Sequence, residues 1–259
     1  MPQRTRRLEE MTWPEVRDAA ARGAGVILPV GATEQHGHHL PLATDAILPT
    51  ELGLAVADPL DLLVAPAIQY GYRSRPLSGG GEGFPGTLSL RAQTLMALVE
   101  DVLSQLMRHG FRRIVVLNWH YENQNFVYEA AWLAKERDRA DSRVMVCELP
   151  FSDLSRTTMD LLFPGGFPGW DVEHASIMET SLMQHLRPEL VLFDRAVDDE
   201  AERHPWWDVV PTPDAFVPAS GTLWKATQAS AEKGERAWGE IVRGLAAAIE
   251  QELGGAPPA

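Results

Sequence analysis

The 259-residue chain has one cysteine, Cys147, which closes the run Val144-Met145-Val146-Cys147. A single cysteine excludes an intrachain disulfide and fits a reducing cytoplasm; in this apolar setting it reads as a small core residue rather than a nucleophile. Apolar runs long enough to cross a bilayer are also missing. The most apolar long stretch, Leu52–Ile68, is broken by Asp58, Pro59 and Asp61, so no segment spans a membrane. The N-terminal MPQRTRRLEE is basic but no apolar core follows it, so it does not read as a signal peptide. Positive charge is in short supply: a net charge of −13 argues against nucleic-acid backbones and anionic membranes as partners. The expectation is a soluble, cytoplasmic protein. Its hydrophobic share is ordinary, its length suits one large α/β unit, and it shows neither an internal repeat nor an interdomain linker. Residues 1–259 therefore read as a single domain.

What is present in excess is concentrated in Gly31–Asp45, GATEQHGHHLPLATD, where Glu34, His36, His38, His39 and Asp45 follow the apolar run Val26–Val30. That run is short and rich in β-branched residues, so it reads as a buried strand delivering a polar cluster from its end. Open α/β folds bind ligands just beyond the carboxyl ends of their strands. Glu and Asp oxygens with His nitrogens suit zinc or manganese, and the Glu34-x-His36 spacing sends both side chains the same way from an extended segment. A surface loop that happens to be rich in histidine is the plainer alternative.

The rest of the chain alternates. Pro14–Arg22 reads as a helix with Thr12 as a possible N-cap, Ile47–Val56 as a helix leading from Asp45, and Leu62–Ile68 as a second strand. Tyr70–Thr87 is a long glycine-rich loop without the Lys-Ser/Thr ending of a phosphate loop, which leaves close backbone approach to a neighbour or substrate as its use. Arg91–His109 carries apolar residues at helical spacing and stops before Gly110. Ile114–Leu117 is a strand, about Gln124 to Arg137 a helix, Val144–Cys147 a strand, and Thr222–Leu253 mostly helix. Val197–Ala219, rich in Pro, Asp and Trp, is irregular and could cover a face or contact another subunit. Strands alternating with helices imply a three-layer α/β/α fold around a largely parallel sheet.

Two more clusters stand out. His120-x-Glu122 repeats the first arrangement, with two potential ligands at alternate positions after a buried strand; an ordinary salt-bridged loop is the alternative. With Glu34, His36 and Asp45 they make enough donors for two metals sharing one bridging carboxylate, a site able to hold and acidify a water and polarise a carbonyl. The third cluster, Gly169-Trp170-Asp171-Val172-Glu173-His174, precedes the apolar helix Ala175–Leu186. Asp171 can cap that helix. His174 lies at its start, where the macrodipole lowers an imidazole pKa and a neighbouring carboxylate raises it. Trp170 follows several glycines and reads as a mobile flap or a core residue. Glu179, inside the apolar helix, needs a partner if buried and could orient a ligand or bind metal itself.

TEQHGHHLPLATD, NWHYEN and WDVEHASIMETSLM, together with SGGGEGFPGTLSL and SGTLWKATQASAEKGE, resemble the creatininase (creatinine amidohydrolase) family over about Met11 to Glu252. The resemblance implies a binuclear zinc or manganese centre with two ions per chain, a homohexamer built as a trimer of dimers, and hydrolysis of a small cyclic amide such as creatinine. A biosynthetic relative acting on, or forming, a different amide is the second possibility. By resemblance Glu34 and His120 would bind one metal, His36 and Glu122 the other, and Asp45 would bridge. His174 would shuttle the proton, with Glu122 counted beside it in the catalytic set. Trp170 would be the lid, with Tyr121, Asp171 and Glu173 lining the substrate pocket. Two departures stand out: Trp119 replaces a small glycine beside a ligand, and the family's second pocket tryptophan, expected near Leu149 or Pro150, has no counterpart.

Overall fold

The computed structural model describes residues 5–138 and 141–254. Four parallel strands form its sheet, in the order β2-β1-β3-β4: β1 Gly25–Val30, β2 Leu62–Val64, β3 Arg113–Asn118 and β4 Arg143–Cys147. Val26 pairs with Ile114 and Val30 with Asn118, which brings the ends of β1 and β3 level. β1 and most of β3 are buried, as continuous apolar runs in a doubly covered parallel sheet should be.

Among the described residues eight α-helices clothe the sheet: α1 Trp13–Ala21, α2 Thr44–Leu60, the single turn α3 Pro76–Gly79, α4 Ala92–Arg108, α5 Gln124–Asp138, α6 Arg156–Leu162, α7 Ile177–Leu186 and α8 Ala231–Leu253. One core joins Ile27, Val115 and Leu117 of the sheet to Leu48 and Leu52 of α2, Leu182 of α7 and Ile241 of α8. The other joins Val26, Leu28 and Val116 to Ala19 of α1, Val99 and Leu103 of α4, and Ala130 of α5. The alternation along each strand thus feeds two helical layers, and the expected three-layer α/β/α architecture is what forms.

Several boundaries moved for identifiable reasons. β2 stops at Val64 and Ile68 regains the sheet only as an isolated bridge to Val30; Pro66 between them has no N–H to donate. α2 begins at Thr44 rather than Ile47, so Asp45 lies inside its first turn, where the helix dipole favours a carboxylate. α7 begins at Ile177, because Ala175 takes a left-handed φ of 51° and Ser176 is extended. Asp171 is not its cap: Glu173 is the side chain that accepts from the first-turn N–H of Met178, at 2.7 Å. The C-terminal helix starts at Ala231, capped by Ser230, and not at Thr222.

Candidate metal centre

The site assembles at the level ends of β1 and β3. Gly31 follows β1 directly; a Cβ there would lie 2.1 Å from the carbonyl oxygen of Asp45, so only glycine lets the two backbones meet. Asn123 ties the two strand ends and the glycine-rich loop together. Its amide donates to Gly31 O (3.0 Å) and Asn118 Oδ1 (3.1 Å), while its oxygen accepts from Tyr72 N (2.7 Å). The side chains delivered into this junction, Glu34, His36, Asp45 and His120, are all buried.

Asp45 is the centre of the cluster. Its Oδ1 lies 3.1 Å from His36 Nε2, and its Oδ2 lies 3.1 Å from His120 Nδ1. On the first side Glu179 Oε2 approaches His36 Nε2 to 3.7 Å; on the second, Glu34 Oε2 approaches His120 Nδ1 to 3.1 Å. Three overlapping groups of donors result: Glu34–Asp45–His120, His36–Asp45–Glu179 and Glu34–His36–His174, the donor atoms of each within 4.8 Å of one another. Glu122, which the resemblance pairs with His36, stands instead beyond the His120 ring. Its Oε2 is 3.4 Å from His120 Nε2, and its Oε1 accepts from Ser78 Oγ (2.6 Å) and Arg75 N (3.0 Å). Glu179 is held by the N–H of Ala175 (2.8 Å) and the indole N–H of Trp119 (3.3 Å). Of the other two histidines in the first cluster, His38 is exposed and His39 turns away to Thr180 Oγ1 (2.8 Å).

The electrostatics of this cluster are those of a cation site. Burial pushes the Glu34 carboxyl up to about 7 against the pull of His120, and the Glu179 carboxyl up to about 7 against the pull of His36. Burial and the neighbouring Glu179 raise Glu173 to about 8. Burial alone would lower His36, yet Asp45 and Glu179 raise it to about 10. Both Glu34 oxygens are buried without a hydrogen-bond donor. Buried carboxylates are costly unless paired or bound to metal, and oxygen with imidazole donors fits zinc or manganese. The donor set therefore fits divalent ions.

His174 sits over this cluster, its ring centroid 4.4 Å from that of His36. Burial, and then the charge of His36, lower its pKa well below the ordinary value, so the ring is held neutral. Its tautomer follows from donor accounting. The Gln35 amide nitrogen lies 2.9 Å from His174 Nε2, but its two N–H groups are spent on Gly79 O (3.1 Å) and Gly221 O (2.9 Å), so none is left for the ring. The His174 Nε2, 2.9 Å from Gln35 O, therefore carries the proton and donates it there, leaving Nδ1 as the lone pair. Gln35, a residue the motif reading passed over, is the junction of three loops. The glycine-rich loop does approach closely: a Cβ on Gly79 would stand 2.4 Å from Glu34 Oε1.

Tyr121, Trp170 and Glu173 line one narrow recess with His174 and Glu179, whereas Asp171 is exposed outside it. The aromatic wall expected to be missing is supplied by Phe151. Leu149 takes a left-handed φ of 50°, and two residues on, the Phe151 ring lies between Trp119 (centroids 4.9 Å apart) and Trp170 (5.0 Å). Trp170 also packs on Phe167 at 4.5 Å, so it is braced by neighbours rather than standing free.

A three-layer α/β/α fold with buried histidines and carboxylates converging at its strand ends defines the class: an α/β protein with the donor set of a divalent-metal site. Within that class the chain belongs to the creatininase family, whose profile, described as creatinine amidohydrolase, matches residues 9–249. The creatinine amidohydrolase of Pseudomonas putida is 45% identical over 251 residues, covering 94% of this chain and 96% of that protein. A mycofactocin precursor peptide peptidase of Mycolicibacterium smegmatis is 31% identical over 236 residues, 87% of this chain and 84% of that protein. Among solved structures, a creatininase variant described as Zn-Zn type superposes with a TM-score of 0.93 at 43% identity over 99% of this chain and 100% of that one. A manganese creatininase gives 0.92 at 43% identity, over 98% and 100%.

Proposed function

We propose that the chain is a binuclear metal-dependent amidohydrolase acting on a small cyclic amide of the creatinine kind. The observation that carries this is Asp45, whose two oxygens face two separate donor groups, His36 with Glu179 and His120 with Glu34. Those five residues would hold two zinc or manganese ions, with Glu122 bearing on the His120 side. When bound, such a pair supplies an acidified shared water and a polarised carbonyl. The protein's own groups do the rest. His174, neutral and with Nδ1 free of its Nε2–H bond to Gln35, accepts the proton of the attacking water and returns it to the leaving nitrogen. Trp170, braced on Phe151, keeps bulk water from the reacting carbonyl. Glu173 and Tyr121 line the recess in which the amide is oriented.

A second reading, a relative acting on or forming a different amide bond, is favoured by one observation. With Phe151 wedged between two tryptophans, the recess encloses about 20 Å³, close to what one water molecule needs. The similarity to a mycofactocin precursor peptide peptidase supports this reading. Metal analysis of the purified chain with a panel of lactams and linear amides tests both readings. About two ions per chain, with turnover lost on chelation, are expected. A metal-free chain whose turnover survives Glu34→Ala sinks the metal-dependent reading. The family resemblance also supports a homohexamer, and the buried lone Cys147 agrees with a cytoplasmic setting; sedimentation measures the first.

A further inference from the structure

Immediately outside the recess lies a second cavity of about 250 Å³, walled by Arg75, Ser78, Tyr121, Asp171, Trp206 and Asp208 with neighbouring apolar residues. It shares Ser78 and Tyr121 with the recess, so the two adjoin at those side chains. Its outer wall belongs to the irregular segment after α7 and is fastened by the ion pair of Arg75 with Asp208. The same Arg75 donates its backbone N–H to Glu122, which anchors this wall beside the metal cluster.

We propose that this outer cavity is a cation subsite, taking the ammonium or guanidinium end of an extended amide whose carbonyl reaches the recess. The proposal rests on the hydrolase reading above and names the part of the substrate that the recess is too small to hold. Three features select a cation. Asp208 already neutralises Arg75, whereas the Asp171 carboxylate has no hydrogen bond or ion pair among the described residues, which leaves one uncompensated negative charge in the wall. Trp206 is 91% exposed, its ring at 85° to that of Trp207 with centroids 5.2 Å apart, so most of its surface is open to a ligand. An aromatic face beside a free carboxylate is the pairing that binds organic cations, and a planar guanidinium suits it especially. A neutral apolar ligand would gain nothing from Asp171, and an anion would be repelled by it.

The test uses the full chain, metal-loaded and chelated, titrated calorimetrically with N-butylguanidinium and with its neutral analogue N-butylurea. The guanidinium should bind about tenfold more tightly than the urea, by the strength of a hydrogen-bonded pair to a charged group. That preference should survive chelation. Asp171→Asn should erase it, Trp206→Ala should weaken guanidinium binding about threefold, and Arg75→Ala, which frees Asp208, should strengthen it. In turnover, amides with a guanidino tail should have lower KM than those with a ureido tail, and Trp206→Ala should narrow that gap. If the binding pattern holds but no amide is hydrolysed, the hydrolase reading falls and the subsite stands. Equal binding of the two probes, or an Asp171→Asn chain that still prefers the guanidinium, overturns the subsite whatever the turnover.

Discussion

The recess and the cavity outside it share a wall but are built on opposite plans. Every donor of the recess is buried and comes from the end of a strand or the start of a helix: Glu34 and His36 after β1, Asp45 in the first turn of α2, His120 after β3, Glu179 in α7. Three of them are fixed further by backbone atoms: His36 Nδ1 on Glu34 O, His120 Nε2 on Tyr72 O, and Glu179 on the Ala175 N–H. The outer wall is an irregular segment with two exposed tryptophans, held to the glycine-rich loop by one largely exposed ion pair, an interaction that salt screens and that contributes little to stability. On the proposed reading, chemistry that needs ångström placement would sit at the sheet ends, and selection of what enters would be left to a loop. Substitutions in the two regions should therefore fail differently. Replacing the donors or the proton shuttle should strike metal content or kcat, and replacing apolar lining or outer-wall residues should alter preference.

The largest effect expected is from Asp45→Ala. Removing the one carboxylate that faces both donor groups should lose metal from both, with turnover below ~1% of wild type, since even residues that only support ligands cost 10–100-fold. Metal analysis alongside kinetics checks it. A chain that keeps both ions and more than a tenth of its activity would show that the two donor groups do not depend on a shared bridge. His174→Ala should come next, reducing kcat by ~10²–10⁴-fold with metal content near wild type, because its Nε2 is committed to Gln35. Loss of metal together with activity would make His174 a ligand and blur the line between the donors and the proton shuttle.

How much of this could be read from the chain follows the same division. The alternating strands and helices were legible because local periodicity encodes them, and the two clusters were legible because strand ends in such folds collect donors. The missed features are long-range. Arg75 and Asp208 are separated by 133 positions, so nothing local announces their pairing. Gln35 carries no signal in the sequence, because its role lies in which loops its amide joins. Phe151 was missed because the left-handed turn at Leu149, an unfavourable conformation for a β-carbon-bearing residue, carries the aromatic ring to a place that register alone assigns elsewhere. The placement of Glu179 beside His36, with Glu122 beyond His120, depends on how α7 crosses the sheet end, which spacing cannot express.

The smallest effect concerns Phe151, a lining residue of the recess that is no metal donor. Its ring fills the space between Trp119 and Trp170 that a flat ring substrate would need, so the wild-type chain should hydrolyse creatinine poorly beside a slimmer amide. Phe151→Ala opens that space without touching a metal donor. It should raise the preference for creatinine over linear amides by roughly tenfold to a hundredfold, the range over which apolar pocket changes act, while metal content stays constant. The substitution also leaves a cavity in the core, at a cost of about 3–5 kcal/mol if the surroundings do not relax. A thermal melt must accompany the kinetics, and the ratio of two substrates in one preparation is the quantity to compare, because partial unfolding lowers both rates alike. If wild type already prefers creatinine, Phe151 is no obstacle, Trp170 must swing clear of it, and the recess is wider in action than its resting walls allow. If instead the ratio rises in the variant, the packed aromatic wall is what separates this chain's substrate from a small ring.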